Sequence, residues 1–283
     1  MRYDCIIIGS GPAGLSAAIN LKTYQKNFLW FGNAQMSEKV QKAEKIVNYP
    51  GMPELTGLEL ANAFREHKES QGLEIEDKVV SSIYDMGGYY MVMAENQFFE
   101  TETIIMATGV VAANQYAGEA EFLGRGVSYC ATCDGALYKG KTIAVVSTAK
   151  RFEHEVEFLA DLAEKVYLFP FYKDCEITKE NVAFVKKSVK EIKGGFRVEE
   201  VNLGEESLAV DGVFIMRNAI APTTLLNTLE VADGHIVVNR QMETNLKGVY
   251  AAGDCTGKPY QYAKAVGEGN VAAHSVIEYL GEK

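Results

Sequence analysis

A turn of three glycines constrains this chain more than any other stretch. An apolar run of strand type, Tyr3 to Ile8, passes directly into Gly9-Ser10-Gly11-Pro12-Ala13-Gly14, and a helical segment, Leu15 to Leu21, follows. This spacing between strand and helix permits a tight turn, lets backbone approach a pyrophosphate, and aims a helix N-terminus at its charge. A turn that merely joins strand to helix does not need three glycines so spaced. A second strand of aromatic and apolar residues, Phe28 to Phe31, extends the pattern, and a bound dinucleotide is expected. The acid that usually ends the second strand to hold a ribose hydroxyl is replaced by Gly32-Asn33, so Asn33 is the substitute polar contact.

The rest of the 283 residues is enough for two domains. Asn48-Tyr49-Pro50-Gly51 reads by itself as a surface turn, and a helix is expected from about Gly57 to Gln71. Strands follow at Val79 to Tyr84, Tyr89 to Ala94 and Thr103 to Met106, the last running into Ala107-Thr108-Gly109. From about 113 to 239 a second unit repeats the strand–helix–strand order: Thr142 to Val146, Phe152 to Ala163, Lys165 to Phe169, then Gly212 to Met216. A strand ending in Gly253-Asp254 and a helix from Tyr260 to Leu280 then return the chain to the first domain. The expected fold class is α/β with two dinucleotide-binding-type, Rossmann-like domains, the first discontinuous: 1–112 and 240–283 around a central domain, 113–239.

The central unit carries Cys130-Ala131-Thr132-Cys133-Asp134. Taken alone, a Cys-x-x-Cys is half of a zinc site or a redox pair. Five cysteines with one close pair are not a secreted disulfide framework. Cys5, Cys175, Cys255 and the four histidines supply no second pair at metal-ligand spacing, so no metal is expected. A net charge of −10 argues against nucleic acid as a partner. No apolar run approaches the roughly 20 residues of a membrane span, and no leader precedes the first strand, so a cytoplasmic protein is expected.

The glycine turn, Asn48-Tyr49-Pro50-Gly51, Ala107-Thr108-Gly109 and Gly253-Asp254, in this order around Cys130 to Gly135, resemble the low-molecular-weight thioredoxin reductases over essentially the whole chain. The resemblance implies the pyridine nucleotide-disulfide oxidoreductase fold, FAD as cofactor, thioredoxin as substrate and a homodimer. FAD contacts would come from Gly9, Ser10, Gly11, Pro12, Ala13, Gly14, Asn33, Asn48, Val80, Ala107, Thr108, Gly109, Gly253, Asp254, Gln261, Tyr262 and Ala263. Tyr260 stands where the family has an arginine. Cys133 would face the flavin and Cys130 would attack thioredoxin. Asp134 would move the proton, its pKa raised by burial, unless it is simply a helix cap. Rotation of the central domain would use hinges at Val110 to Ala113 and Asn239 to Met242. Cys5 and Cys255 read as packed small hydrophobes.

One region departs from the pattern. NADPH-dependent members carry a glycine-rich turn after the strand Thr142 to Val146 and a His-Arg-Arg cluster after the next. This chain has Ser147-Thr148-Ala149-Lys150-Arg151-Phe152 and Pro170-Phe171-Tyr172. Side chains there obstruct a pyrophosphate, and no arginine pair remains for a 2'-phosphate. The pattern resembles the ferredoxin-dependent flavin thioredoxin reductases, and ferredoxin is the expected donor, docking through Lys22 with Lys26, Lys39-Lys42-Lys45 or Lys186-Lys187-Lys190-Lys193. Both domains are acidic, −5 each, so steering would be local. The alternatives are NADPH at a degenerate site, a second flavin stacked on Phe171 or Tyr172, and a flavin-binding protein whose cysteines regulate an interaction.

Overall fold

The structure, a computed structural model, describes residues 2–36, 38–41, 43, 45–109, 116–129, 131–217 and 222–282, and for 38, 39, 132 and 133 the backbone alone. In chain order it contains β1 (Arg2–Ile8), α1 (Pro12–Thr23), β2 (Phe28–Phe31), α2 (Glu38–Gln41), α3 (Gly57–Ser70), β3 (Val80–Asp85), β4 (Tyr90–Ala94) and β5 (Gln97–Met106). Then come β6 (Val127–Ser128), α4 (Ala131–Asp134), β7 (Thr142–Ser147), α5 (Glu153–Leu162), β8 (Lys165–Pro170), β9 (Val182–Phe184), β10 (Glu191–Gly194), β11 (Val198–Asn202), β12 (Ser207–Ala209) and β13 (Gly212–Met216). The chain closes with α6 (Pro222–Leu225), β14 (Val231–Ala232), β15 (His235–Ile236), β16 (Val249–Ala251) and α7 (Tyr262–Gly281).

Two compact units result, one from Met1–Ala112 with Ala219–Lys283, the other from Ala113–Asn218. The second crossing at 218/219 comes earlier than the expected 239/240. Residues 228–245 are held to the first unit: His235 bonds the Tyr260 hydroxyl at 2.6 Å, Ser275 Oγ donates to the Gln241 carbonyl at 2.8 Å, and Ala251 N–H donates to the Met242 carbonyl at 3.0 Å.

The first unit is built on a sheet of order β2-β1-β5-β4-β3. β1 is parallel to both neighbours, and its last four residues are buried, as the unbroken apolar run requires. β5 is long enough to serve two partners on one side. Its first half pairs antiparallel with β4, and Ile104 to Met106 pair parallel with β16. Pro12 opens α1 at the position where a missing N–H costs nothing. α3 starts at a capping box, Glu59 N–H to Thr56 Oγ1 at 3.2 Å and Thr56 N–H to Glu59 Oε2 at 2.6 Å. α1 and α7 pack so closely that a Cβ on Gly269 would lie 2.2 Å from the Ala13 carbonyl oxygen. Cys5, Ile7, Leu21, Trp30, Ile105 and Tyr250 fill the core between them.

The second unit is an all-parallel sheet, β6-β13-β7-β8-β9, with a small antiparallel sheet, β10-β11-β12. Phe122, Val127, Val146, Phe169, Val213 and Ile215 form its core. Among the described residues no helix is long and apolar enough to cross a membrane.

Two glycines in α7 give opposite expectations. Gly269→Val drives side-chain atoms into α1 and should cost about 2–3 kcal/mol, lowering Tm by several degrees. At Gly267 an added Cβ meets nothing within 4 Å, so Gly267→Ala should stabilise by roughly 1 kcal/mol through helix propensity. Differential scanning fluorimetry of both variants checks the pair.

Candidate active site

Two of the three turn glycines are demanded by the protein itself. Gly9 has φ 118°, and a Cβ there would fall 2.1 Å from the Ala107 carbonyl oxygen; a Cβ on Gly14 would fall 2.0 Å from that of Gly9. Gly9 N–H donates to the Phe31 carbonyl at 2.8 Å, and the Trp30 indole N–H donates to the Gly9 carbonyl at 2.9 Å. The third, Gly11, has an unstrained φ of −83°, and its Cβ would meet nothing within 4 Å. No contact inside the chain forbids a side chain at 11; what glycine leaves there is room for a ligand. Gly11 is also the N-cap of α1, which has no side-chain cap and no acid in its first turn. The helix therefore offers its unpaired N–H groups and positive dipole end to an anion.

The neighbouring predicted residues are tied to this turn. Asn33 N–H donates to Ser10 Oγ at 3.0 Å, while Gln35 N–H occupies Asn33 Oδ1 at 2.8 Å, leaving ligand contact to the Asn33 amide nitrogen. Ala107 N–H donates to the Ile8 carbonyl at 2.8 Å, and the buried Thr108 Oγ1 has no hydrogen-bond partner among the described residues. Gly253 has φ 87°, and a Cβ would sit 3.0 Å from that of Ala13. An orphaned hydroxyl, an open cradle at Gly11 and an uncapped helix end fit the pyrophosphate of FAD. Ser10, Pro12, Ala13 and Asp254 belong to the same neighbourhood. Val80 lies buried at the start of β3, opposite Ala94, on the same sheet.

The Asn48 segment is a turn, as its composition implies, with Gly51 at φ 85° and Met52 N–H bonded to the Tyr49 carbonyl at 3.1 Å. It is more than a surface loop, because Asn48 Nδ2 donates to Gln261 Oε1 at 2.6 Å, joining two predicted contacts 213 residues apart. Gln261 is the N-cap of α7, so Tyr262 and Ala263 start that helix. The Tyr262 phenol is pushed up by burial and then by the charge of Asp254.

Sequence reasoning missed what holds the Asp254 loop. Glu268 Oε2 accepts Gly253 N–H and the Thr256 hydroxyl, each at 2.8 Å. Lys264 Nζ donates to the carbonyl oxygens of Gly253 and Gly257 at 2.9 and 2.8 Å and lies 3.2 Å from Glu268. The visible signal was the Lys–Glu pair at i,i+4 in a helix otherwise opening with small and apolar residues. Cys255 behaves as the packed hydrophobe expected, its thiol pushed up to about 11 by burial, as that of Cys5 is to about 12.

In the second unit Cys130 lies outside the described residues, and of Cys133 only the backbone in α4 is described. Asp134 ends α4 half-buried and makes no side-chain cap to the following turn, Gly135–Tyr138, so the helix-cap reading does not hold for that turn. Among the described residues no group of His, Cys, Asp and Glu could hold a metal.

The end of β7 is already filled by the protein. Ser147 is fully buried, with its hydroxyl on the Ala149 carbonyl at 3.3 Å, and Phe152 is buried where a glycine turn would run. Lys150 Nζ pairs with Glu176 Oε1 at 2.6 Å, and Arg151 lies over the Phe152 ring. α5 opens with Glu153 and Glu155 in its first turn, and Glu153 Oε1 takes the Glu176 N–H at 3.1 Å. Carboxylates thus occupy the helix end where a pyrophosphate would need positive potential. Phe171 is half-exposed, and the Tyr172 hydroxyl is spent on Cys175 Sγ at 3.2 Å.

The sequence pattern described as Pyridine nucleotide-disulphide oxidoreductase matches residues 3–152 and 170–269. A thioredoxin reductase of Bacillus subtilis strain 168 is 33% identical over 301 residues, covering 99% of this chain and 95% of the relative. Two crystal structures titled ferredoxin-flavin thioredoxin reductase, both from Clostridium acetobutylicum, are similar over the whole chain. One is 48% identical with TM-score 0.92 and 99% of its own length covered, the other 42% identical with TM-score 0.90 and 98% covered.

Gly11→Val separates folding from ligand binding: the protein should keep its Tm when cofactor-free, yet purify with most of its flavin absorbance gone. For the thiols the folded pKa lies above the reference value of 9.0. Their neutral form is favoured by folding, so that stability is complete below pH 9 and is lost as pH rises toward about 11 for Cys255 and 12 for Cys5. Urea midpoints should fall across this window, and the Cys5→Ala/Cys255→Ala double variant should flatten the decline.

Proposed function

Since the chain belongs to the pyridine nucleotide-disulphide oxidoreductase family, we propose that it is an FAD-dependent thioredoxin-disulfide reductase whose electron donor is reduced ferredoxin rather than NADPH. Family members of the thioredoxin reductase type are FAD flavoproteins. The observation that carries the choice of donor is the end of β7, where Ser147, Phe152 and the Glu153–Glu176–Lys150 cluster stand in place of a nucleotide cradle. A nicotinamide must dock its ring to deliver a hydride; a one-electron donor needs only proximity. The similarity to ferredoxin-flavin thioredoxin reductases supports the same reading.

In this proposal Gly9 to Gly14 and α1 hold the FAD pyrophosphate. Asn33 takes the ribose, Thr108 supplies its unpartnered hydroxyl, and Asp254, Gln261, Tyr262 and Ala263 line the rest, with Asn48 bracing Gln261. Bound FAD supplies the means of collecting two single electrons and delivering them as a pair to a disulfide. Two electrons and two protons convert the Cys130–Cys133 disulfide to the dithiol, with Asp134 moving the proton. The Cys130 thiolate then attacks the disulfide of thioredoxin, releasing one of its thiols. Cys133 attacks Cys130 in the mixed disulfide, releasing reduced thioredoxin and restoring the ring. The central unit turns between these steps about the crossings at 112/113 and 218/219, the expected hinge at Asn239 to Met242 lying inside the first unit, and the protein acts as a homodimer in the cytoplasm.

Three basic patches compete as the ferredoxin face. Lys187 is paired with Glu206 at 2.9 Å and Lys193 with Glu191 at 3.2 Å, while Lys45 is paired with Glu54 at 2.9 Å. Lys42 and the Lys39 side chain lie outside the described residues. Lys22 lies in the last turn of α1.

Anaerobic addition of reduced ferredoxin should bleach the flavin within one turnover, while NADPH leaves it oxidised; rapid bleaching by NADPH overturns the donor assignment. Flavin content of one per chain excludes a second flavin at Phe171 or Tyr172. Cys133→Ser should abolish thioredoxin reduction, falling by more than about 10³-fold, without removing the bound flavin.

A further inference from the structure

Glu119 is the one carboxylate among the described residues that is completely buried, and neither the flavin neighbourhood nor the dithiol chemistry uses it. Its Oε1 accepts the Tyr129 hydroxyl at 2.6 Å; its Oε2 accepts Arg217 Nη2 at 2.7 Å and the Tyr116 N–H at 3.0 Å. The backbone beneath it is pinned, since Gly118 packs against β10 too closely for any Cβ and Ile192 N–H donates to the Ala117 carbonyl at 2.8 Å.

The three side chains come from places that matter to the dithiol. Tyr129 directly precedes Cys130 and follows β6; Arg217 follows β13, the parallel neighbour of β6. Glu119 therefore bridges the C-terminal ends of two adjacent strands. It also binds the stretch that enters the central unit to the residue just before the chain leaves it at 218/219. On the other side of Cys130, Ala131 is buried. The residue before the cysteine is thus anchored by a hydrogen bond and the residue after it is buried.

We propose that Glu119, Arg217 and Tyr129 are positioning residues for disulfide exchange: the buried carboxylate clasps the strand end leading into Cys130 to the root of the central unit. This rests on the exchange role given to Cys130 above. Arg217 and Glu119 neutralise each other beside that strand end, so the clasp adds geometry without net charge. A misplacement of about 1 Å at a reacting atom costs on the order of a hundredfold in rate, and removal of one hydroxyl grip should cost part of that.

The test uses full-length holoenzyme, photoreduced without oxygen, then mixed rapidly with oxidised thioredoxin or, separately, with dithiobisnitrobenzoate. Tyr129→Phe, which removes a single hydroxyl, should lower the saturating rate with both disulfides about tenfold, with flavin spectrum and half-saturating thioredoxin concentration unchanged. Glu119→Gln leaves Arg217 uncompensated and should shift the pH profile of the exchange to lower pH; the Glu119→Gln/Arg217→Met double variant should return it. Saturating rates within about twofold of wild type in Tyr129→Phe, together with superimposable pH profiles in Glu119→Gln, overturn the proposal. Wild-type protein that reacts with the small disulfide and not with thioredoxin would refute thioredoxin as substrate, while the Tyr129→Phe deficit with the reagent would still support the clasp.

Discussion

Between Gly9 and Ala107 two strand ends meet more closely than any side chain permits, and the first unit depends on that contact. The Ala107 carbonyl occupies the volume a Cβ on Gly9 would fill. Because β1 and β5 are parallel neighbours ending together, their carboxyl ends form one rim. Gly14 brings α1 down onto the same rim, Trp30 secures the Gly9 carbonyl from the adjoining strand, and Gly253 adds a third strand end beside Ala13. Once these backbones are in contact, the N–H groups at the start of α1 and the Thr108 hydroxyl have fixed positions. A cofactor bound there would meet a rigid surface, which lowers the ordering cost of binding.

The second unit shares a parallel strand–helix–strand arrangement and ends differently. Its parallel sheet also directs β7 and α5 at a common rim, but that rim is filled by Ser147 and Phe152 and carries carboxylates in the first turn of α5. An uncapped helix N-terminus in the first unit corresponds to one already bearing Glu153 and Glu155 in the second. Open space at Gly11 corresponds to buried Ser147 and Phe152. Fold alone therefore does not report function; the two rims differ in a handful of residues.

Strands and helices were readable because their signals are local. Unbroken apolar runs gave β1, β7 and β13 nearly to the residue, and the glycine spacing gave the first turn. The expected FAD contacts Asn48 and Gln261 rested on resemblance, since nothing in either stretch announces the hydrogen bond that joins them across 213 residues. The crossing at 218/219 differs from the expected 239/240 for the same reason: residues 228–245 have unremarkable composition, and their bonds to the first unit run to Tyr260 and Ser275. Trp30, Lys264 and Glu268 are supports, chosen by what they must reach; a pattern of hydrophobicity carries little information about such reach.

The discontinuity of the first unit also orders its assembly in time. β5 needs β16 along Ile104 to Met106, and α1 needs α7 against Ala13, yet β16 and α7 follow the whole central unit in sequence. The central unit, being continuous, has all its strands as soon as Met216 has emerged. A growing chain must keep an incomplete N-terminal sheet from misassociating while its interior domain closes first, and the flavin rim is completed only once α7 has emerged. Cofactor loading is then a late event, gated by the final helix.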